Sequence, residues 1–317
     1  MMHKNGGFRF AVDNHSIVDI RNCMKIYRKN PPEMLQSFVC YTDILGFSQL
    51  TKEAIDSDRG NMLLNRLRKA LDNAFERLRI YVNGKDEFFS VKVFTDNVVV
   101  GYPIDFESFG SGESELGHVF RMFSGFQLEL ALEGFLVRGG IALGKHYMDN
   151  EIVFGDALLE AVDQDKRGGP PCISLAKSAV ESLQHQLSFY SEIKRAPQYH
   201  DLLEHADGTI FLDYLQEAFV VFPNDIFFDV IEKHRNIIVE GLKKSKCNHN
   251  VWSKYEWVAK YHNFVCEEFA NTHNISTDLN IDGIYADAAR KAQYLKKYLI
   301  DIDSIPIEMS RLMIYRI

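Results

Sequence analysis

The sequence predicts an α+β fold: a ferredoxin-like βαββαβ domain with an added hairpin, followed by a largely helical C-terminal extension. Three observations predict it. After one isolated strand, the strands of the first half arrive in hairpins, whereas a doubly wound sheet would alternate single strands with helices. Two segments with helical periodicity separate those strands. From about residue 225 onward the pattern turns to long helices.

Each element follows in order. Residues 1–34 read as an extension ending at Pro31-Pro32, which blocks a continuing helix. A first domain then spans 35–175. Its opening strand is Ser37 to Thr42, running into Asp43 and ILGFSQLT. A helix over about Gly60 to Tyr81 carries Leu63, Leu64, Leu67, Leu71, Phe75 and Leu78 in one apolar stripe. EFFSVKVF and VVVGYP form a hairpin around Thr95-Asp96-Asn97. Gly110 to Glu115 is a loop, and Leu116 to Glu133 a second helix. FLVRGGIALG is a strand, KHYMDN a turn, EIVFG the return strand, and a helix begins near Asp156. Pro170 to Leu175 adds a short strand. Residues 176–317 form the mainly helical region, with a partly helical stretch from Ala176 to His200 and a short strand at Gly208 to Phe211. Its helices span about Asp225–Lys244, Asn250–Ala270 and Ala286–Leu299. The second puts Trp252, Tyr255, Val258, Ala259, His262, Phe264 and Phe269 on one helix, so this region packs on the first domain or builds an oligomer surface.

Composition bounds the function. The 317 residues are 46% hydrophobic, enough for a filled core plus a helical extension. A net charge of −8 argues against a broad basic surface for duplex nucleic acid, and no nucleic-acid binding is expected. It leaves room for a small phosphate pocket. Five scattered cysteines without a CxxC exclude a disulfide framework or structural zinc site and read as reduced thiols. No run approaches the roughly 18 apolar residues of a membrane span. The amino terminus lacks the apolar core of a signal peptide. A cytoplasmic protein without a transmembrane segment is expected.

Two carboxylates stand out. Asp43 ends the first strand, and Asp96 lies in the turn of the next hairpin. In a sheet that sets the hairpin beside that strand, both reach one edge, and paired acids beside a triphosphate are what Mg²⁺ or Mn²⁺ needs. Either acid alone reads equally as a turn or cap residue. Gly46 and Phe47 follow where strand turns into helix, and free N–H groups at such a turn cradle phosphate. Arg138, before Gly139-Gly140, suits phosphate through its planar fork or a surface salt bridge. Asp156 reads as a helix N-cap. Lys166 and Arg167 suit the helix's negative end or a phosphate.

Taken together, YTDILGFSQL, KVFTDN, VRGGIALG and FGDALLEA resemble the class III adenylate and guanylate cyclases, over about residues 37–167. The resemblance implies a class III catalytic domain. Asp43 and Asp96, with the Ile44 carbonyl, would hold two Mn²⁺ or Mg²⁺ ions. The backbone of Leu45, Gly46, Phe47 and Ser48 would cradle the terminal phosphates, Arg138 would neutralise charge, and Lys92 would read the base. Class III sites form between two catalytic domains, so one domain per chain implies a homodimer with two shared sites.

The departures are specific. In the family's W-G-x-x-V-N-x-A-x-R motif, Leu159 stands for the asparagine that orients the ribose and Asp163 for the arginine that stabilises the transition state. Ile152 holds the acidic base-reading position, and Thr95 stands for a glycine before Asp96. The resemblance then narrows to the pyrimidine cyclases of bacterial anti-phage signalling. These convert UTP or CTP to the 3′,5′-cyclic monophosphate, which a separate effector reads. UTP is expected ahead of CTP, because the Lys92 ammonium only donates and uracil offers a carbonyl where cytosine has an amine. The alternatives are a purine cyclase making cyclic AMP or GMP, supported by Lys92, and a catalytically silent cyclase-like domain, supported by the lost asparagine and arginine.

Overall fold

The computed structural model describes Tyr27 and residues 29–80, 89–104, 113–220, 225–274, 293–302 and 309–312. Strand β1 (Leu35–Ile44) is its organising element, paired antiparallel with β3 (Asn97–Pro103) on one side and β4 (Val137–Met148) on the other. Side chains alternate across a strand. Phe38, Cys40 and Ile44 therefore join the cluster that packs under helices α2 (Gly60–Ile80) and α3 (Glu113–Leu132), while Val39 and Tyr41 face the other way. That second face is covered by α4 (Asp156–Lys166) through Ala157 and Ala161.

Among the described residues one sheet runs in the order β11-β7-β8-β6-β4-β1-β3-β2, with β5 beside β4. The remaining strands are β2 (Ser90–Phe94), β5 (Val153–Gly155), β6 (Ile173–Leu175), β7 (Leu202–His205), β8 (Ile210–Leu212) and β11 (Met309–Arg311). Strands β9 (Phe219–Val220) and β10 (Asp225–Ile226) pair separately. The first four strands follow the βαββαβ connection, and only β4–β6 is parallel. The sheet takes strands from both sides of residue 175.

Helix α3 is apolar almost all round, the pattern of a helix buried on every side. Phe120, Phe123 and Phe126 face the sheet and α2, while Leu128, Ala131 and Leu132 meet the C-terminal helices. Those are α6 (Phe228–Lys244) and α7 (His249–Asn274), following α5 (Lys177–Leu187). Val258, Ala259 and His262 of α7 are buried, and Tyr255 and Trp257 pack with Leu45 and Leu136 near the end of β1. The two helices touch closely at Gly241, where a Cβ would lie 2.1 Å from the Tyr255 ring.

Several elements differ from expectation. Lys145 to Met148 is strand, not turn, because His146 is buried with its Nδ1 2.8 Å from the Tyr27 hydroxyl. The turn falls at 149–152, where Asp149 Oδ1 accepts the N–H groups of Glu151 and Ile152. Gly155, not Asp156, is the N-cap of α4, and Asp156 Oδ1 accepts from the Ala157 N–H. Leu64, expected in the stripe of α2, is exposed, because the buried face runs through Leu67, Ala70, Leu71, Ala74, Phe75 and Leu78, with Leu63 packed against the core at its start. Helix α3 begins at Glu113, three residues before its expected start. Residues 110–112 of the expected loop lie outside the described residues, as do most of the 1–34 extension and residues 286–292 of the helix expected over Ala286–Leu299, whose described part ends in a short 3₁₀ turn, Lys296–Tyr298.

Candidate functional site

The end of β1 gathers the chemistry. Asp43 lies opposite Asn97 on β3 and opposite Arg138 on β4. Cross-strand partners share a face, so Asp43 and Arg138 join Tyr41 on the side covered by α4. Asp96 is drawn in by the backbone: the Ile44 N–H donates to the Asp96 carbonyl at 3.1 Å. The β2–β3 connection is tight enough to hold Thr95 at φ +53°, a region that favours glycine, and glycine is what the resembled motif has there. The Thr95 hydroxyl lies 2.6 Å from Asp96 Oδ1, and Asn97 Nδ2 donates to the same oxygen at 3.2 Å. The Tyr41 hydroxyl donates to Asn97 Oδ1.

A third acid completes the group. Asp165, near the end of α4, is buried, and Arg138 Nε donates to its Oδ1 at 2.8 Å. Burial pushes the Asp43 carboxyl up to about 6, and the charges of Asp96 and Asp165 push the same way, opposed by Arg138 and Lys254. The same group raises the Tyr41 hydroxyl to about 12, burial first and Asp165 next. In the sequence Asp165 is only an acid one residue before the end of a helix. The available signal was spacing: Ala157, Ala161 and Asp165 recur every four residues, on the side of α4 that meets the sheet.

Gly46, at φ +74°, turns the chain from β1 into α1 (Phe47–Asp56), and the Leu45 N–H is held by the Leu136 carbonyl at 2.9 Å. No side chain caps α1, and its first turn carries no acid, so the N–H groups over Phe47 and Ser48 point at an open end. Lys92 pairs through Val99 with Tyr41, which sets it on the site's face. Its ammonium donates to the carbonyls of Asp149 (3.3 Å) and Asn150 (3.1 Å) and lies 5.2 Å from the Phe94 ring centroid. Leu159 and Asp163, at the asparagine and arginine positions of the resembled motif, stand on the exposed side of α4, and Asp163 pairs with Lys166.

Arg138 is thus committed to Asp165, which leaves Asp43 and Asp96 as the acids without a basic partner at hydrogen-bond distance. Among the described residues no group of three or more His, Cys, Asp or Glu side chains is arranged to hold a metal ion. Two carboxylates in oxygen-rich surroundings suit a hard divalent cation, and such an ion would stabilise the ionised form of the Asp43 carboxyl, which burial disfavours first and the charges of Asp96 and Asp165 next. No described helix is long and apolar enough to cross a membrane.

No known protein-family signature and no curated protein matches the chain. Solved structures show a distant likeness. The monomeric guanylyl cyclase domain of the RhoGC fusion protein from the aquatic fungus Blastocladiella emersonii aligns with a TM-score of 0.37 and 11% identity, over 57% of this chain and 96% of that one. A class III adenylyl cyclase-like ATP-binding protein from Pseudomonas aeruginosa aligns with a TM-score of 0.35 and 13% identity, over 54% of this chain and 41% of that one. The chain is a mixed α/β core with a helical C-terminal extension, distantly similar to these class III cyclase structures.

Proposed function

We propose that the chain is a metal-dependent nucleotide cyclase whose reacting centre is the end of β1. The observation that carries this reading is the meeting of Asp43 and Asp96 at the end of β1, with the Asp43 carboxyl raised first by burial and then by the charges of Asp96 and Asp165. A charge held at such cost suits a cationic ligand better than a structural role. Asp43, Asp96 and the Ile44 carbonyl are the residues that would hold Mg²⁺ or Mn²⁺. Bound there, the ions would supply Lewis-acid chemistry, favouring the 3′-alkoxide and neutralising phosphate charge. The N–H groups from Gly46 to Ser48 receive the terminal phosphates, the Leu45 N–H expected to join them being held by the Leu136 carbonyl. The substrate's 3′-oxygen attacks its own α-phosphorus, the bond to the bridging oxygen breaks, and pyrophosphate leaves, so the chain's work is orientation and electrostatics. Arg138, tethered to Asp165, acts on that charge from one side of the site.

Self-association is part of the proposal. Val93, Phe94, Ile152, Phe154 and Leu159 are exposed apolar side chains on neighbouring elements, β2, the β4–β5 hairpin and α4, and a homodimer would cover them. The division at 35–175 and 176–317 is likewise proposed, with the first part carrying the chemistry.

UTP is the proposed substrate, ahead of CTP, with the cyclic product read by a separate effector in anti-phage signalling. Lys92 supports this less than sequence alone suggested, since two of its three protons are directed at backbone carbonyls. ATP or GTP is therefore the second reading for the base. A silent nucleotide-binding domain is the second reading for the activity, favoured by the exposed Leu159 and Asp163. The test is incubation of the full chain with each of the four nucleoside triphosphates and Mn²⁺, with products resolved by mass. One triphosphate should yield its cyclic monophosphate, and Asp43→Ala and Asp96→Ala should each lower the rate at least about a thousandfold while melting cooperatively. Full activity in either variant would sink the metal assignment, and no cyclic product from any substrate would favour the silent domain.

A further inference from the structure

Beside the β1–α1 turn lies a cavity of about 250 Å³. Leu45, Gly46 and Leu136 form one wall, and the α6–α7 corner forms the other with Lys244, Asn248 and Lys254. Pockets that enclose a whole small ligand run to about 300–1,000 Å³, so this one takes part of a nucleotide. The walls say which part. Lys254 is half-buried and makes no hydrogen bond or ion pair with any described residue, yet its charge reaches Asp43 and pulls that carboxyl downward. Lys244 adds a second positive charge, its ammonium pairing with the exposed Glu240. Glu53 also lines the cavity, and Gln49 Nε2 donates to it at 2.8 Å. Two helices begin at this space: α1 uncapped after Gly46, and α7 after Asn248, whose Oδ1 accepts the Val251 N–H at 3.3 Å. Lysines and helix starts around a small cavity favour an anion with several oxygens.

We propose that the α6–α7 corner completes the polyphosphate-binding half of the nucleotide site within the same chain, with Lys254 as the lysine that contacts phosphate. This rests on the cyclase reading above. The β- and γ-phosphates then lie along the Gly46 turn and in the cavity, the α-phosphate beside Asp43 and Asp96, and the ribose and base outside. The C-terminal helices become part of the site as well as a cover for α3.

The test uses the full chain without metal, titrated calorimetrically with inorganic tripolyphosphate. Wild type should bind it. Lys254→Ala should weaken binding about tenfold or more, the loss of one charge-assisted contact. Lys254→Arg should restore most of it, and Asp43→Asn should keep it. Melting temperatures near wild type confirm that Lys254→Ala is folded. On the nucleoside triphosphate that is cyclised, Lys254→Ala should raise KM more than it lowers kcat. Absence of tripolyphosphate binding in wild type, or equal affinity in Lys254→Ala, overturns the proposal even if the chain makes a cyclic nucleotide. Binding that depends on Lys254 in a chain that cyclises none of the four triphosphates supports the phosphate site and overturns the cyclase reading instead.

Discussion

At the end of β1, Asp43 shares its surroundings with Asp96 and Asp165, and no described group donates a hydrogen bond to it. Between β8 and α7, Asp213 is fully buried yet answered on both oxygens. The Tyr261 hydroxyl donates to Oδ1 at 2.6 Å, and Arg311 Nη2 lies 2.7 Å from Oδ2 as an ion pair. Arg311 also reaches Glu268 through Nε at 2.9 Å. Nearby, His234 and His262 extend a neutral relay. His262 Nε2 meets the Tyr298 carbonyl at 3.0 Å, which makes that nitrogen the donor. The His262 Nδ1 then accepts from His234 Nδ1 at 2.9 Å, and His234 Nε2 accepts from the Tyr214 hydroxyl at 2.9 Å. The charge of Asp213 and the ring nitrogens of the histidine pair are answered within the chain, whereas the Asp43 carboxylate is not. The first arrangement ties β11 and α7 together, and the second is where we propose that a ligand binds.

Three measurements would break or sharpen that contrast. The largest effect belongs to the compensated side: Arg311→Ala removes the cation facing the fully buried Asp213, a loss of about 3–5 kcal/mol. Urea unfolding should show it as a much lower midpoint, and an unchanged midpoint would remove the clamp from the account.

Next comes acid sensitivity. Burial depresses the His262 imidazole to about 4 and that of His234 well below its ordinary value. The folded state therefore binds fewer protons than the unfolded one below about pH 6.5. Stability contributed by the pair is full above 6.5 and lost as pH falls toward 4, by about 3 kcal/mol from His262 alone. His262→Gln should flatten that part of the stability profile. A profile equally steep in the variant would place the acid loss elsewhere.

The smallest effect lies at the site. The Asp43 carboxyl is raised from 3.8 to about 6, so its cost is absent below pH 3.8, grows through 6 and stays constant above. Asp43→Asn removes that cost. Screened by solvent, the gain should be about 1 kcal/mol at pH 7.5 without divalent ions, vanishing below about pH 4. A variant less stable than wild type at pH 7.5 would make Asp43 a structural residue after all.

What the sequence by itself determined is what depends on local period and turn chemistry. The alternation of β1, the stripe of α2, the hairpin around Thr95 and Asp96, and the sharp exit at Gly46 are each written within a few residues, so the Asp43–Asp96 pair was legible before any coordinates. The sequence could not reveal what depends on elements meeting. Strand β11 is three residues with no pattern of its own and exists because β7 offers an open edge and Arg311 a buried partner. Asp165 reads as a helix-end acid until α4 lies across β1 and β4. Lys254 stands more than 200 positions from Asp43 in the chain, and only the docking of α6 and α7 on Leu45 and Leu136 brings its charge to the β1 end. Local sequence sets which side chains share a face, but the neighbours across an interface are chosen by packing, which no window of the sequence contains.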